Sequence, residues 1–186
     1  DFGKINTNWK FLIENFIEPY HVQFVHKTTT NQPLKDHYTI VDGICYGSGV
    51  NVKQEDNKNA NALSVSSKYL SLFPNFIIGS YYPNQIGVYL NIPISPSITS
   101  QKRIIYTTDG TVMTKKESNI TKKIWWNVHK EDHEICERLQ EGRFSPASNE
   151  GGLLSPYWEK GVQVFQKLII QETMKSSKLV KGKKNV

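Results

Sequence analysis

Cysteine is almost absent: Cys45 and Cys136 are the only two among 186 residues. Two thiols exclude a disulfide framework and a cysteine-built zinc or iron–sulfur site within this chain, and a reducing, cytoplasmic setting is the expectation that follows. Long apolar runs are missing too. None reaches the roughly 18 to 20 residues that cross a bilayer, so no transmembrane helix is expected, and nothing at the start has the charged-then-apolar texture of a signal segment. Acid is missing from the last twelve residues, KSSKLVKGKKNV, whose five lysines carry most of the net charge of +6. Without them the chain is nearly neutral. A basic folded face of the kind that grips nucleic acid is therefore not expected; residues 1–174 are expected to form one domain and 175–186 a solvated, disordered tail.

Apolar residues Trp9, Leu12, Ile13, Phe16 and Ile17 recur with helical spacing, and Thr7 or Asn8 can cap the start. Pro19 denies Glu18 the α conformation and removes a backbone donor, so this helix should end or kink just before His21. From about residue 38 to 113 the texture changes to β-branched and aromatic runs broken by Gly, Pro, Asn and Asp, which predicts an antiparallel sheet. Pro83-Asn84-Gln85 has the look of a hairpin loop, and QEDNKNANA that of a polar loop. Helical texture returns over about 118–141, and Ser155-Pro156 is positioned to open a last helix with the stripe Trp158, Val162, Phe165 and Ile169. The expected class is α+β, a curved antiparallel sheet wrapped around a long C-terminal helix in a START-like helix grip.

His21 and His26 are the first candidates for chemistry. Five positions on an unbroken helix advance the side chain by roughly 500°, leaving the rings about 140° apart and unable to share one ligand. A break at Pro19 lets them converge; otherwise one ring packs in the core and the other lies at the surface. Farther along, Asp132, Ile135, Cys136 and Leu139 share one helical face, while Glu131, Glu134, Arg138 and Glu141 occupy the other. A carboxylate on an apolar face needs a cation, a metal or several hydrogen bonds, unless it reaches solvent from the helix end. Two histidines and one carboxylate make the ligand set of an iron(II) facial triad, and equally of a catalytic zinc site.

The run NWKFLIENFIEPYHVQFVH resembles the signature of the catalytic domain in Rieske non-haem iron oxygenases. The likeness continues through FPNFIIGSYYPNQIGVYLNIPISP, EDHEICERLQEGRFSP and GGLLSPYWEKGVQVFQKLI, nearly the whole chain. It implies that His21, His26 and Asp132 hold a mononuclear iron(II), and that Glu18 bridges electrons from a Rieske [2Fe–2S] cluster to it. That cluster's CxH…CxxH pattern is missing here, so the likeness implies a Rieske domain upstream of Asp1 or on a partner, a ferredoxin or reductase feeding it, and a homotrimer in the complete protein. Dioxygen would be activated to hydroxylate or demethylate a small organic molecule. Glutamate at position 18, where aspartate is commoner, hints at the quaternary ammonium branch of the family.

For the substrate pocket, Asn15, Tyr69, Phe73, Phe76, Tyr81, Tyr82 and Tyr89 are candidates, with two or three of the rings expected to face it, since aromatic faces take either a planar ring or a methylated ammonium. Two other classes share parts of this pattern. A helix-grip carrier of hydrophobic ligands would need no metal, and a zinc hydrolase would use the same three ligands without reductant or oxygen.

Overall fold

The computed structural model describes residues 1–27, 29–30, 32–51 and 66–182, with side chains as far as residue 177. QEDNKNANA lies outside the described residues. The chain runs β1 (Gly3–Ile5), α1 (Trp9–Ile17), α2 (Val22–Val25), β2 (His37–Asp42), β3 (Cys45–Asn51), β4 (Ser66–Leu72), β5 (Phe76–Tyr81), β6 (Gln85–Ser95), β7 (Ile98–Thr107), α3 (Lys115–Gly142) and α4 (Lys160–Gly182). The strands form one antiparallel sheet in the order β1-β7-β6-β5-β4-β3-β2. The α+β class is that expected. Strand β1 was not foreseen, because three residues are too few to show an alternating pattern; it pairs with β7 at the sheet edge.

Alternation along the strands sorts their side chains onto two faces. Tyr46, Ser71, Ile77, Tyr89 and Arg103 are cross-strand partners in one row, and Ser48, Tyr69, Gly79, Gly87 and Ile105 in the next. All three long helices pack on the face these rows share. Helix α4 lies against β2 and β3, with Phe165 fully buried among Tyr46, Ile13, Ile17, Ile77 and Tyr89. Its backbone comes so close to the sheet that a Cβ on Gly161 would stand 3.4 Å from the Gly47 nitrogen. Helix α1 covers the middle, and α3 covers the β5–β7 end, where Trp125 packs on Tyr81.

Local signals explain most helix ends. Asn8 caps α1 by accepting from the Lys10 amide, and Thr114 with Glu117 forms a reciprocal capping box on α3, which therefore starts earlier than the periodic stripe alone indicates. The last helix starts later than expected. Ser155 accepts from the Tyr157 and Trp158 amides and closes a local turn, so α4 starts at Lys160, past the Ser-Pro pair. At its other end α4 runs through Gly182. No described helix is long and apolar enough to cross a membrane.

Candidate metal centre

The break at Pro19 builds the site. Helix α1 ends at Ile17, Glu18 is extended (φ −103°, ψ 141°), and the chain then makes the single helical turn α2, with His21 before it and His26 after it. The two imidazoles come to 5.2 Å between centroids, nearly perpendicular to one another. Helix α3 passes alongside and presents Asp132, whose Oδ1 lies 3.0 Å from His26 Nε2 and 3.6 Å from His21 Nε2. One donor atom from each of the three falls within 4.8 Å of the others, the only such group of three among the described residues.

The outer nitrogens are held as firmly. His21 Nδ1 stands 2.6 Å from Glu18 Oε1, and His26 Nδ1 2.7 Å from Glu131 Oε2. A carboxylate at Nδ1 keeps a proton there and leaves the Nε2 lone pair free, the tautomer a metal requires. The donor set therefore fits a divalent metal of intermediate softness, with two imidazoles and one carboxylate. Asn15 Nδ2 donates to Asp132 Oδ1 at 2.8 Å and fixes the carboxylate's orientation.

Without a metal, protons take its place. Burial by itself lowers the His21 pKa, but the Glu18 and Asp132 carboxylates outweigh it and raise it to about 10. Burial likewise raises the Asp132 pKa, and the His26 and His21 imidazoles overcome this and hold it well below the usual carboxylate range. A metal must displace the His21 proton, so its affinity grows as pH rises toward that value.

A cavity opens from the triad toward the sheet, walled by Phe16, Tyr69, Tyr81, Tyr89, Trp125 and Val128, with Thr30, Gln32 and Ser48 at its polar side. Three of the candidate rings, Tyr69, Tyr81 and Tyr89, face it. Phe73 does not, since it packs on Phe165 in the core, and Phe76 and Tyr82 stand exposed on the outside. Strand parity decides this: Ile77, Gly79 and Tyr81 point inward, so Phe76 points out. Asn15 is turned to Asp132 and is not among the cavity's walls.

The family model for the ring hydroxylating alpha subunit (catalytic domain) matches residues 3–175. The chain belongs to that family. Curated relatives include choline monooxygenase of Atriplex hortensis, chloroplastic, 28% identical over 87% of this chain and 36% of the relative, and that of Spinacia oleracea, 26% identical over 92% and 39%. The chain thus spans well under half the length of these relatives. Among solved structures, a quaternary ammonium Rieske monooxygenase implicated in carnitine oxidation superposes with TM-score 0.73 at 18% identity, over 90% of this chain and 48% of that one. Dicamba monooxygenase bound to dicamba gives 0.66 at 14% identity, over 94% and 58%. At these identities the structures share the fold.

Within this member of the family, several site residues escaped the sequence. Trp125, Val128 and His129 precede Asp132 at spacings that extend its inward stripe, a signal available by reading the heptad backward. Leu139, placed on that stripe, is half-exposed, whereas Gln140 beside it is buried and accepts from the Asn8 amide. Glu131, assigned to the outer face, instead grips His26 and accepts from Thr29 Oγ1. Replacing it by glutamine, which cannot hold the Nδ1 proton with a charge, is expected to weaken metal binding about 10- to 100-fold. Competitive chelation would measure it, and unchanged affinity would show that Glu131 does not tune the ligand.

Proposed function

We propose that His21, His26 and Asp132 bind one iron(II) and that the chain is the oxygenase core of a Rieske-type enzyme hydroxylating or demethylating a small organic substrate, aromatic or quaternary ammonium. The observation that carries it is the convergence of the two Nε2 atoms on Asp132 with each Nδ1 held by its own carboxylate. Iron(II) held there would supply the activation of dioxygen. The chain's own part is to fix that chemistry in place: Glu18 and Glu131 retain protons on the outer imidazole nitrogens, Asn15 orients Asp132, and the aromatic wall keeps water from the substrate.

Electrons would come from a Rieske [2Fe–2S] cluster on another domain or polypeptide, supplied by a ferredoxin or reductase. In a cytoplasmic homotrimer, Glu18 of one subunit would meet the cluster of the next. Glu18 suits that position: its side chain, 12% exposed, contacts His21 and accepts from the Tyr20 and His21 amides. Metal analysis of protein purified without added metal, followed by reductant-dependent oxygen uptake with a Rieske protein, tests this. One iron per chain and uptake that needs the reductant are expected. Tight zinc and reductant-independent hydrolysis would favour the hydrolase, and no metal at all the ligand carrier.

A further inference from the structure

Arg103 stands on the inner face of β7, where a strand that faces a core ordinarily carries an apolar residue. Its guanidinium lies flat over the sheet above Gly87, where a Cβ would come within 2.7 Å of Nη2, and Trp125 closes over it at 3.5 Å from ring centroid to Cζ. The Tyr89 and Tyr81 rings flank it at 4.6 and 5.1 Å. Nη1 donates to His129 Nε2, whereas Nε and Nη2 are buried without a well-formed hydrogen bond, the Tyr81 hydroxyl being the acceptor within their influence. Among the described residues no carboxylate pairs with it. The cation reaches a carboxylate, Asp132, only through the His129 ring, and the three rings it touches are walls of the cavity beside the triad, which Glu18 and Asp132 also line.

Two consequences follow for anything entering that cavity. Aromatic rings bind a quaternary ammonium through the negative potential of their faces, and here the guanidinium already draws on Trp125, Tyr81 and Tyr89. A second cation would meet the repulsion of the first across a poorly screening interior. The hydroxyls are also biased. Tyr81 and Tyr89 share a hydrogen bond, their oxygens 3.1 Å apart, and the field of Arg103 turns phenol oxygens toward itself, so the pair keeps one O–H to donate into the cavity. Burial raises the pKa of both, and Arg103 acts on them more strongly than Asp132 does. Thr30 Oγ1, buried on the same cavity without a partner, adds another hydroxyl.

We propose that Arg103 makes this cavity select a carboxylate-bearing substrate and shut out quaternary ammonium groups, acting as a positioning residue through the rings and hydroxyls it touches. It rests on the cavity being the oxygenase's substrate site, and it narrows that site to organic anions.

Three probes of one shape test it on the iron-loaded chain: pivalate, choline, and the neutral alcohol in which a tert-butyl group replaces choline's trimethylammonium. Quenching of tryptophan fluorescence reads their binding, with iron content measured in every sample. The expected order is pivalate first, the alcohol second and choline last, with at least about tenfold between the ends. Any other order, or no binding by any of the three, overturns the proposal. Arg103→Met should collapse that spread, whereas Arg103→Lys, which keeps the charge and loses the stacked plane, should preserve the order. A spread that survives in Arg103→Met would mean that the anion is held by the metal alone, which also refutes it. Should Arg103→Met fail to fold, the wild-type order and Arg103→Lys still decide. Loss of iron from the wild-type protein would strike the oxygenase assignment, whereas retained iron with choline tightest would strike only this one.

Discussion

Alanine at His21, His26 or Asp132 is expected to remove stoichiometric iron, with affinity falling by at least about a hundredfold in each case, because each side chain supplies one of three donor atoms. Asp132→Ala should also disturb the metal-free protein most. The Asp132 carboxylate faces His26 Nε2 at 3.0 Å and accepts from Asn15, so its loss leaves buried donors unpaired, at roughly 1–3 kcal/mol each. Iron added to the wild type should raise its melting temperature in proportion to the logarithm of free metal, and in the variants should not. Inductively coupled plasma analysis with thermal melts measures both. Unchanged iron in any one variant would move that residue out of the ligand set.

Glu18→Gln is expected to act on turnover with the iron site still filled at saturating iron(II), although, as at Glu131, losing the carboxylate at Nδ1 should lower the metal affinity. Glutamine keeps the size and one acceptor; with that oxygen on His21 Nδ1–H the Nε2 lone pair stays free, and the Tyr20 and His21 amides lose the second carboxylate oxygen. What disappears is the charge beside His21 Nδ1, and with it the anionic bridge between an approaching cluster and the imidazole. In the complete enzyme at saturating iron(II), iron content and cluster reduction should match the wild type while substrate oxidation falls by up to about a hundredfold. Stopped-flow reduction together with single-turnover product analysis separates the steps. Wild-type turnover would show that electrons reach the iron by another route.

The two histidines were legible because proline is unambiguous: Pro19 forbids the continuous helix that would hold the rings apart. Asp132 was legible as a charge on an apolar stripe. Glu131 was not, since helical periodicity separates a buried face from an exposed one and takes no account of a neighbouring turn crossing the helix at its flank. The pocket divided by strand parity. Tyr69, Tyr81 and Tyr89 fall on the inner face, and Phe76 on the outer, but parity can be assigned only once the register of each strand is known. Arg103 was hidden for the same reason, because its inward position depends on the pairing of Tyr89 with β7. Phe73, in the turn after β4, follows neither period.

His26 and Glu131 lie 105 positions apart, and Asn15 and Asp132 117 apart, with six strands of the sheet between the two halves of the centre. A chain emerging from the ribosome therefore exposes both imidazoles long before either acidic partner on α3 exists. Two imidazoles on a loose segment supply only two of the three donor atoms, so the nascent half holds any divalent ion more weakly than the completed centre does. Selection waits until the sheet has closed and α3 has docked, which makes loading a late, post-translational event that reports completed folding.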